Sequence, residues 1–269
     1  MTTFGYRGAV DPYSTAAAIK KRPSMGRFAH ESASYAPIVA NKPVVFYMGD
    51  DSQGEYMYKY VSAENWATAD ANAANRIAIG DKYLDNGKLY VAKFNDNGTG
   101  TWLELTIAAA AISGFATYTF ADQADVLVNA RLAADALGAT KMDRPEWCSV
   151  NPKNGDVYYT LTNNSARRVE PTGSQFGVDP ANPRAYTDPK TGASASAGNV
   201  NGHIIRLAET GADASALTFK WDLYLFGAQA DAPAGLVNLS SLTADNDFSS
   251  PDGLWFSPHT GICWIQTDG

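Results

Sequence analysis

The sequence lacks an excess of basic residues. It contains 21 lysine and arginine residues against 28 aspartate and glutamate residues, which gives a formal net charge of −7 and a pI near 4.9. The phosphate backbone of a nucleic acid repels such a surface, so the composition argues against a nucleic-acid partner. The same acidity suits a protein that collects divalent cations.

Long apolar runs are also missing. No segment approaches the ~20 apolar residues that a membrane-spanning helix needs, so we predict no membrane span. The N-terminal stretch lacks the basic and then apolar layout of a secretory signal, which indicates either that the protein stays inside the cell or that a leader lies outside this chain.

The glycines of residues 98–101 are not followed by the lysine and helix of a phosphate-binding loop.

Cysteine is scarce. The two copies, Cys148 and Cys263, both stand in apolar, strand-like runs. This setting predicts buried thiols. Their number gives no information about the cellular compartment.

The sequence does contain a series of short strands separated by glycine, aspartate and asparagine turns. With 269 residues, of which 45% are hydrophobic, the chain is ample for a packed core. The pattern predicts strands over residues 44–48, 55–61, 89–94 and 101–105. A helical spacing predicts one helix near residues 121–138, with Gly138 as its C-cap. The Pro-, Gly- and Ser-rich residues 168–201 predict a long surface excursion.

One pattern repeats without a gap at an offset of 106 residues. DRPEWCSVNPKNGDVYYT, beginning at Asp143, aligns with SSPDGLWFSPHTGICWIQ, and each copy places a carboxylate after a proline: Glu146 in the first and Asp252 in the second. Many hairpins with such a repeat predict an all-β β-propeller, whose blades of about 40–50 residues surround a channel. A β-sandwich is the alternative. The number of hairpins predicts a partial ring with unpaired edges.

The repeated carboxylates are candidate metal ligands. A residue just before the innermost strand of a propeller blade points into the mouth of the channel, so Glu146 and Asp252 would face one axis. Glu31 in GRFAHES also precedes an apolar run and a hairpin, which makes it a third candidate. Carboxylates on one axis repel unless cations lie between them. Hard oxygen ligands select Ca²⁺, Mg²⁺ or oxidised iron.

Arg144 stands beside Glu146 in the same turn. Its planar guanidinium is suited to hold an oxyanion above a metal cluster, and metals that polarise a phosphoryl oxygen and activate water make a phosphate-ester hydrolase. The alternative is a turn with a local ion pair. Asp50 and Asp51 lie in a hairpin turn, where aspartate is common for backbone reasons. Asn164 is able either to cap a turn or to offer its amide oxygen to a metal.

Seven segments occur in the order found in the PhoX family of bacterial alkaline phosphatases: GRFAHES, VVFYMGDDSQGEYMYKYVS, GKLYVAKFNDNGTGTWLEL, RLAADALGATKMDRPEW, NPKNGDVYYTLTNNSARR, NGHIIRLAE and SPDGLWFSPHTGICWIQTDG. The chain resembles that family from about residue 4 to its last residue. Family members are six-bladed β-propellers that use Ca²⁺ and Fe³⁺ to hydrolyse phosphomonoesters. The resemblance therefore implies a phosphomonoesterase with Ca²⁺ and Fe³⁺ as cofactors. Because the family is exported folded through the twin-arginine route, it also implies a periplasmic or secreted location.

The resemblance also implies roles for single residues. Glu31 of the His-Glu motif and Glu146 of the Arg-Pro-Glu-Trp motif would be metal ligands, and Arg144 would contact the phosphoryl group. Asp252 resembles a further ligand. Three other positions match family motifs without an assigned role: Asp50, Asp51 and Asn164.

The chain departs from the family pattern in its length. Family members carry an upstream segment, with a Cys or Gly followed by paired Glu residues, that supplies further iron and calcium ligands and has no counterpart here. We therefore expect residues 1–269 to form a single partial propeller domain, a fragment without the N-terminal and C-terminal blades. We expect the chain to be a monomer. We also expect it to have little or no activity in isolation, and robust turnover of p-nitrophenyl phosphate with Ca²⁺ would refute this second expectation.

Two other functions remain open at this point. A Ca²⁺-dependent lactonase-type propeller also places carboxylates on its axis but has less use for Arg144, and lactone turnover distinguishes it. A propeller that only binds partners would keep the carboxylates for structural Ca²⁺. Bound iron together with calcium would favour the phosphatase over this last function.

Overall fold

The structure, a computed structural model, describes residues 5–14, 18–187 and 197–268. Strands dominate these residues. In chain order they are β1 (Gly8–Ala9), β2 (Lys20–Lys21), β3 (Ser34–Tyr35), β4 (Pro43–Gly49), β5 (Met57–Asn65), β6 (Gly87–Phe94), β7 (Thr99–Glu104), β8 (Pro145–Val150), β9 (Val157–Leu161), β10 (Arg167–Arg168), β11 (Phe176–Gly177), β12 (Tyr186–Thr187), β13 (Ala197–Gly198), β14 (His203–Glu209), β15 (Thr218–Phe226), β16 (Pro251–Phe256) and β17 (Cys263–Thr267). The α-helices are α1 (Arg76–Leu84), α2 (Ala110–Ser113), α3 (Gln123–Val128) and α4 (Ala130–Leu137). None of the helices in the described ranges has the length and apolarity required to cross a membrane.

Nine strands form one antiparallel sheet in the order β3-β4-β5-β6-β7-β15-β14-β9-β8. Its two edge strands approach each other, so the sheet nearly closes. Ser34 Oγ donates to Cys148 O over 2.8 Å, and the Cys148 N–H donates to Ser32 Oγ over 2.8 Å. Side-chain hydrogen bonds therefore join β8 to the β3 segment where a backbone ladder is absent.

Strands β4, β5 and β6 are buried on both faces over most of their length, because their side chains alternate between two apolar clusters. Along β5, Met57 belongs to one cluster, while Tyr58 and Tyr60 belong to the other. The second cluster also contains the buried faces of α3 and α4, including Val126 and Ala133. Burial on both faces explains why these strands read as nearly continuous apolar runs, whereas β15, which exposes one face, alternates.

The predicted helix near residues 121–138 is present as two helices. α3 ends and α4 begins at Asn129, whose backbone (φ −110°, ψ 44°) is not helical. Gly138 caps α4 in the left-handed conformation at φ +62°, as expected for a C-cap glycine. The short helices α1 and α2 were not predicted.

The repeat of 106 residues extends to the backbone. β16 and β17 begin and end 106 residues after β8 and β9, and the register shift after Pro145 recurs after Pro251. Arg144 and Ser250, the residues before these prolines, both have positive φ, at +53° and +51°. The Arg144 O···Thr162 N hydrogen bond of 3.2 Å likewise has a counterpart 106 residues later, of 2.9 Å. The two hairpins are therefore one structural unit used twice.

The predicted all-β propeller class with an inserted helix is confirmed as a mostly β, propeller-like fold, and its main sheet is nearly closed. Two local predictions change. Cys148 is buried, but Cys263 is only half-buried, because β17 pairs only with β16 among the described strands. Of the predicted excursion, residues 188–196 lie outside the described part, and Asn182 and Arg184 are buried rather than on the surface.

Candidate metal centre

Glu31, Glu146 and Asp252 converge near the beginning of β8. Each offers a carboxylate oxygen, and these oxygens all lie within 4.8 Å of one another. Glu146 is the second residue of β8 and Asp252 the second residue of β16, so the repeated hairpin presents both. The predicted convergence of the three carboxylates is confirmed.

A close approach of two strands brings Glu31 to Glu146. Gly49, the last residue of β4, lies so near β8 that a Cβ atom there would be 2.2 Å from Glu146 O. The Glu31 N–H in turn donates to Gly49 O over 3.4 Å. Glycine at position 49 therefore allows the backbones that carry the two carboxylates to touch.

Arg144 lies beside this cluster and bridges two acidic groups. Its Nε donates to Asp51 Oδ1 over 2.8 Å and its Nη2 to Asp51 Oδ2 over 3.2 Å, while Nη2 lies 3.1 Å from Glu146 Oε1. Nη1 makes a longer bond of 3.4 Å to Asn163 Oδ1. The local ion pair considered as an alternative is thus present, and it is part of the same constellation as the cluster.

The electrostatics of the cluster favour a bound cation. Burial, followed by the charges of Asp51 and Asp252, raises the pKa of Glu146 to about 9 even though Arg144 opposes the shift. Burial and neighbouring carboxylates also raise the pKa of Glu31 and of Asp252. Crowded carboxylates of this kind retain protons unless a cation neutralises them. The donor set is made of hard oxygen atoms and fits Ca²⁺, Mg²⁺ or ferric iron.

Asp50 lies outside the cluster in a buried ion pair. Its carboxylate accepts from Arg131 Nε over 2.8 Å and Nη2 over 2.5 Å, and from the Ala29 N–H over 3.0 Å. Ala29 is two residues before Glu31, so Asp50 fastens the segment that carries this carboxylate. Its neighbour Asp51 does reach the site, through Arg144.

Asn164 is engaged in a buried network. Its Nδ2 donates to Asp143 Oδ1 over 2.8 Å, and its Oδ1 accepts from the Ala166 N–H over 2.9 Å. This is the turn-capping arrangement that the sequence left open. The side chain supports the segment before Arg144.

Arg7 is a further charged residue near the cluster, and sequence reasoning missed it. Its Nε and Nη2 are buried without a hydrogen-bond partner, and its charge acts on Glu31 and Cys148. Burial lowers the pKa of Arg7. No sequence signal singled it out, because Arg7 lies in a short N-terminal segment that only the fold brings next to Glu31.

The nearly closed β fold and the acidic cluster with its arginine define a propeller-like protein with a candidate metal centre. A family model described as alkaline phosphatase PhoX matches residues 1–269, and the chain belongs to this metal-dependent family. It is similar to the solved structure of Pseudomonas fluorescens PhoX in complex with vanadate, a transition state analogue, with 38% sequence identity and a TM-score of 0.79. The match covers 98% of this chain and 43% of that one. A search of curated proteins found no match.

Proposed function

We propose that this chain carries the metal-binding and phosphoryl-binding groups of a phosphomonoester hydrolase. The observation that carries the proposal is the convergence of Glu31, Glu146 and Asp252 within 4.8 Å, with the Arg144 guanidinium 3.1 Å from one of them. Family membership and the vanadate-bound relative support it, since vanadate stands in for a phosphoryl group in transfer.

The three carboxylates would hold the cations, which we propose to be Ca²⁺ and Fe³⁺. When bound, such ions supply the polarisation of a phosphoryl oxygen and the activation of water. A single cation between the carboxylates would remove the repulsion that raises the pKa of Glu146. The choice of these two ions rests on the family resemblance, because the donor set also accommodates Mg²⁺.

Arg144 would bind the substrate. Its guanidinium is held in place by Asp51, so that no rotamer search is needed when an oxyanion arrives, and preorganised donors of this kind stabilise developing charge. The negative charges of Asp51 and Glu146 would repel a phosphoryl group, and the positive charge of Arg144 reduces this repulsion. This role distinguishes a phosphatase from a lactonase or from a propeller that binds only structural Ca²⁺.

The test measures binding in two stages. First, Tb³⁺ is bound to the cluster and then displaced by Ca²⁺, and the loss of terbium luminescence measures cation binding. Calorimetry then measures the binding of inorganic phosphate and of vanadate with and without Ca²⁺ and Fe³⁺. We expect oxyanion binding that requires the cations, because cations held by the carboxylates would supply positive charge that attracts the ligand. Turnover of p-nitrophenyl phosphate and of a lactone is measured in parallel.

Two variants make the test specific. Glu146→Gln should weaken cation binding by about tenfold or more, since it removes a charged ligand from a buried site. Asp96→Asn, in the exposed β6–β7 turn, changes the net charge equally and should leave binding unchanged. Oxyanion binding that is absent with cations, or equal in all three proteins, would contradict the proposal.

A periplasmic or secreted location and a monomeric state remain predictions from the family resemblance. Fractionation of cells that express the native gene and light scattering of the purified protein would test them. Cytoplasmic retention of the active protein would overturn the first, and a stable dimer would overturn the second.

A further inference from the structure

A buried polar network surrounds Asp143, the residue before Arg144. The carboxylate is fully buried and accepts hydrogen bonds from three side chains: Asn164 Nδ2 at 2.8 Å, Arg167 Nε at 2.8 Å and Asn199 Nδ2 at 3.0 Å. Arg167 Nη2 also lies 2.7 Å from Oδ1. The metal cluster contains none of these side chains.

The segment that carries Asp143 is also fixed by its backbone. Met142 O accepts from the Gly54 N–H over 2.9 Å, and Asp143 forms a β-bridge with Gln53. Gln53 is two residues after Asp51, the partner of the Arg144 guanidinium. Both partners of the Arg144–Asp51 ion pair therefore belong to segments that are docked onto each other.

The second copy of the hairpin shows that this anchoring is not needed for the backbone conformation. Ser249 occupies the position of Asp143, and its only side-chain bond to another segment in the described residues is from Oγ to Asn201 Oδ1, at 2.9 Å. Ser250 nevertheless has φ +51°, against +53° for Arg144. The extra charged anchor is found where the left-handed residue carries a guanidinium, and it is absent where that residue carries a hydroxyl.

We propose that Asp143 is a positioning residue that acts through Arg144. By holding the Arg144 backbone rigidly against the turn of Asp51, it keeps the guanidinium at a fixed place beside Glu146, ready to receive an oxyanion. The oxyanion part of this inference rests on the proposed function. The positional part concerns the guanidinium alone and stands without it.

The first measurement is independent of any ligand. The Arg144 Nε–H, bonded to Asp51, should exchange slowly with solvent in ¹⁵N NMR spectra of the wild-type protein. Asp143→Asn should accelerate that exchange by about tenfold, the size expected when a charged anchor is lost. Ser249→Ala is the matched control at the repeated position and should leave the exchange unchanged.

The second measurement uses inorganic phosphate and the cation-loaded protein. Asp143→Asn should raise the phosphate Kd by about tenfold, while terbium affinity stays within about threefold because the carboxylate ligands are intact. Arg144→Met should weaken phosphate binding as well. The double variant should bind no more weakly than Arg144→Met alone, since coupled residues are not additive.

Asn164→Ser is a milder variant that distinguishes a loss of positioning from unfolding of the protein. It removes one bond to Asp143 but keeps the buried pair with Arg167, and we expect about a threefold change in exchange and in phosphate Kd. Unchanged Nε–H exchange in both Asp143→Asn and Asn164→Ser, or equal effects of Asp143→Asn with and without Arg144, would overturn the proposal. If the wild-type protein binds no phosphate while the exchange behaves as expected, the proposed function fails and the positioning role stands.

Discussion

Arg144 combines a functional side chain with a strained backbone. Its φ of +53° lies in the left-handed region, which costs a residue with a Cβ about 1–2 kcal/mol. Its guanidinium nevertheless spans Asp51 and Glu146. Ser250 has the same conformation at φ +51°, so the repeated hairpin imposes this backbone. Arginine rather than glycine at position 144 is consistent with a functional constraint on the guanidinium, because glycine would fit the backbone better.

Replacing Arg144 separates these two contributions. Arg144→Gly and Arg144→Ala both remove the guanidinium, so both should lose cation-dependent phosphate binding. Only alanine keeps the Cβ, and we expect Arg144→Gly to be more stable than Arg144→Ala by about 1 kcal/mol. Urea unfolding measures the difference. Equal stability of the two variants would show that the left-handed backbone relaxes once the arginine is gone.

At the scale of elements, the site depends on how closely β4 approaches β8. Gly49 is the contact point, with room for no side chain beside Glu146 O. A methyl group there would force the strands apart and move the segment of Glu31 away from that of Glu146.

Gly49→Ala tests this contact. We expect a loss of about 2–3 kcal/mol of stability, as for other overpacked sites, together with weaker terbium binding. Gly235→Ala is the matched control, because nothing lies within 4 Å of a Cβ at that position. Chemical denaturation and terbium titration are the measurements. Tight cation binding in Gly49→Ala would mean that the two carboxylates do not depend on strand contact.

Sequence patterns predicted the hairpins well because their strands and turns are local. The strand predicted at 44–48 is β4, Pro43–Gly49, and the one at 89–94 is β6, Gly87–Phe94. The ungapped repeat predicted the second hairpin and the equivalent positions of Glu146 and Asp252 in the two hairpins. The break at Asn129 was not predictable, since helical spacing continues across it.

The supporting groups of the site were hidden from the sequence for a different reason. Asp50 and Asn164 looked equivalent to Asp51 as candidates, because each is a polar residue in a turn. Only the tertiary structure shows that Asp50 pairs with Arg131, and that Asn164 binds Asp143. Which polar turn residue faces the site is decided by contacts between segments that are distant in sequence.

At the scale of the whole molecule, the acidic cluster opposes folding at neutral pH when no cation neutralises it. The pKa of Glu146, raised from 4.5 to about 9, means that the folded protein favours the protonated form. The stability that this carboxyl group contributes is therefore complete below pH ~4.5 and is lost as the pH rises towards 9.

The effect of Glu146→Gln on stability should depend on the metal. In EDTA at pH 7.5 we expect the variant to be more stable than wild type by about 1–2 kcal/mol, because it avoids the buried like charges and part of the shift is screened by solvent. At 100 times the wild-type Kd for Ca²⁺, the wild-type protein should gain about 2.7 kcal/mol, whereas the variant, with at least tenfold weaker binding, should gain no more than about 1.4 kcal/mol, so the advantage of the variant should shrink by at least about 1.3 kcal/mol. Thermal unfolding with and without Ca²⁺ measures this change. A variant that is less stable under both conditions would contradict it.

Glu31, Glu146 and Asp252 are separated by more than one hundred residues at each step along the chain. An ion held by all three would crosslink an early, a middle and a late segment of the chain. Releasing the ion would then free three remote pieces of backbone at once. The rate at which a chelator removes the ion would therefore report how completely these three segments have come together.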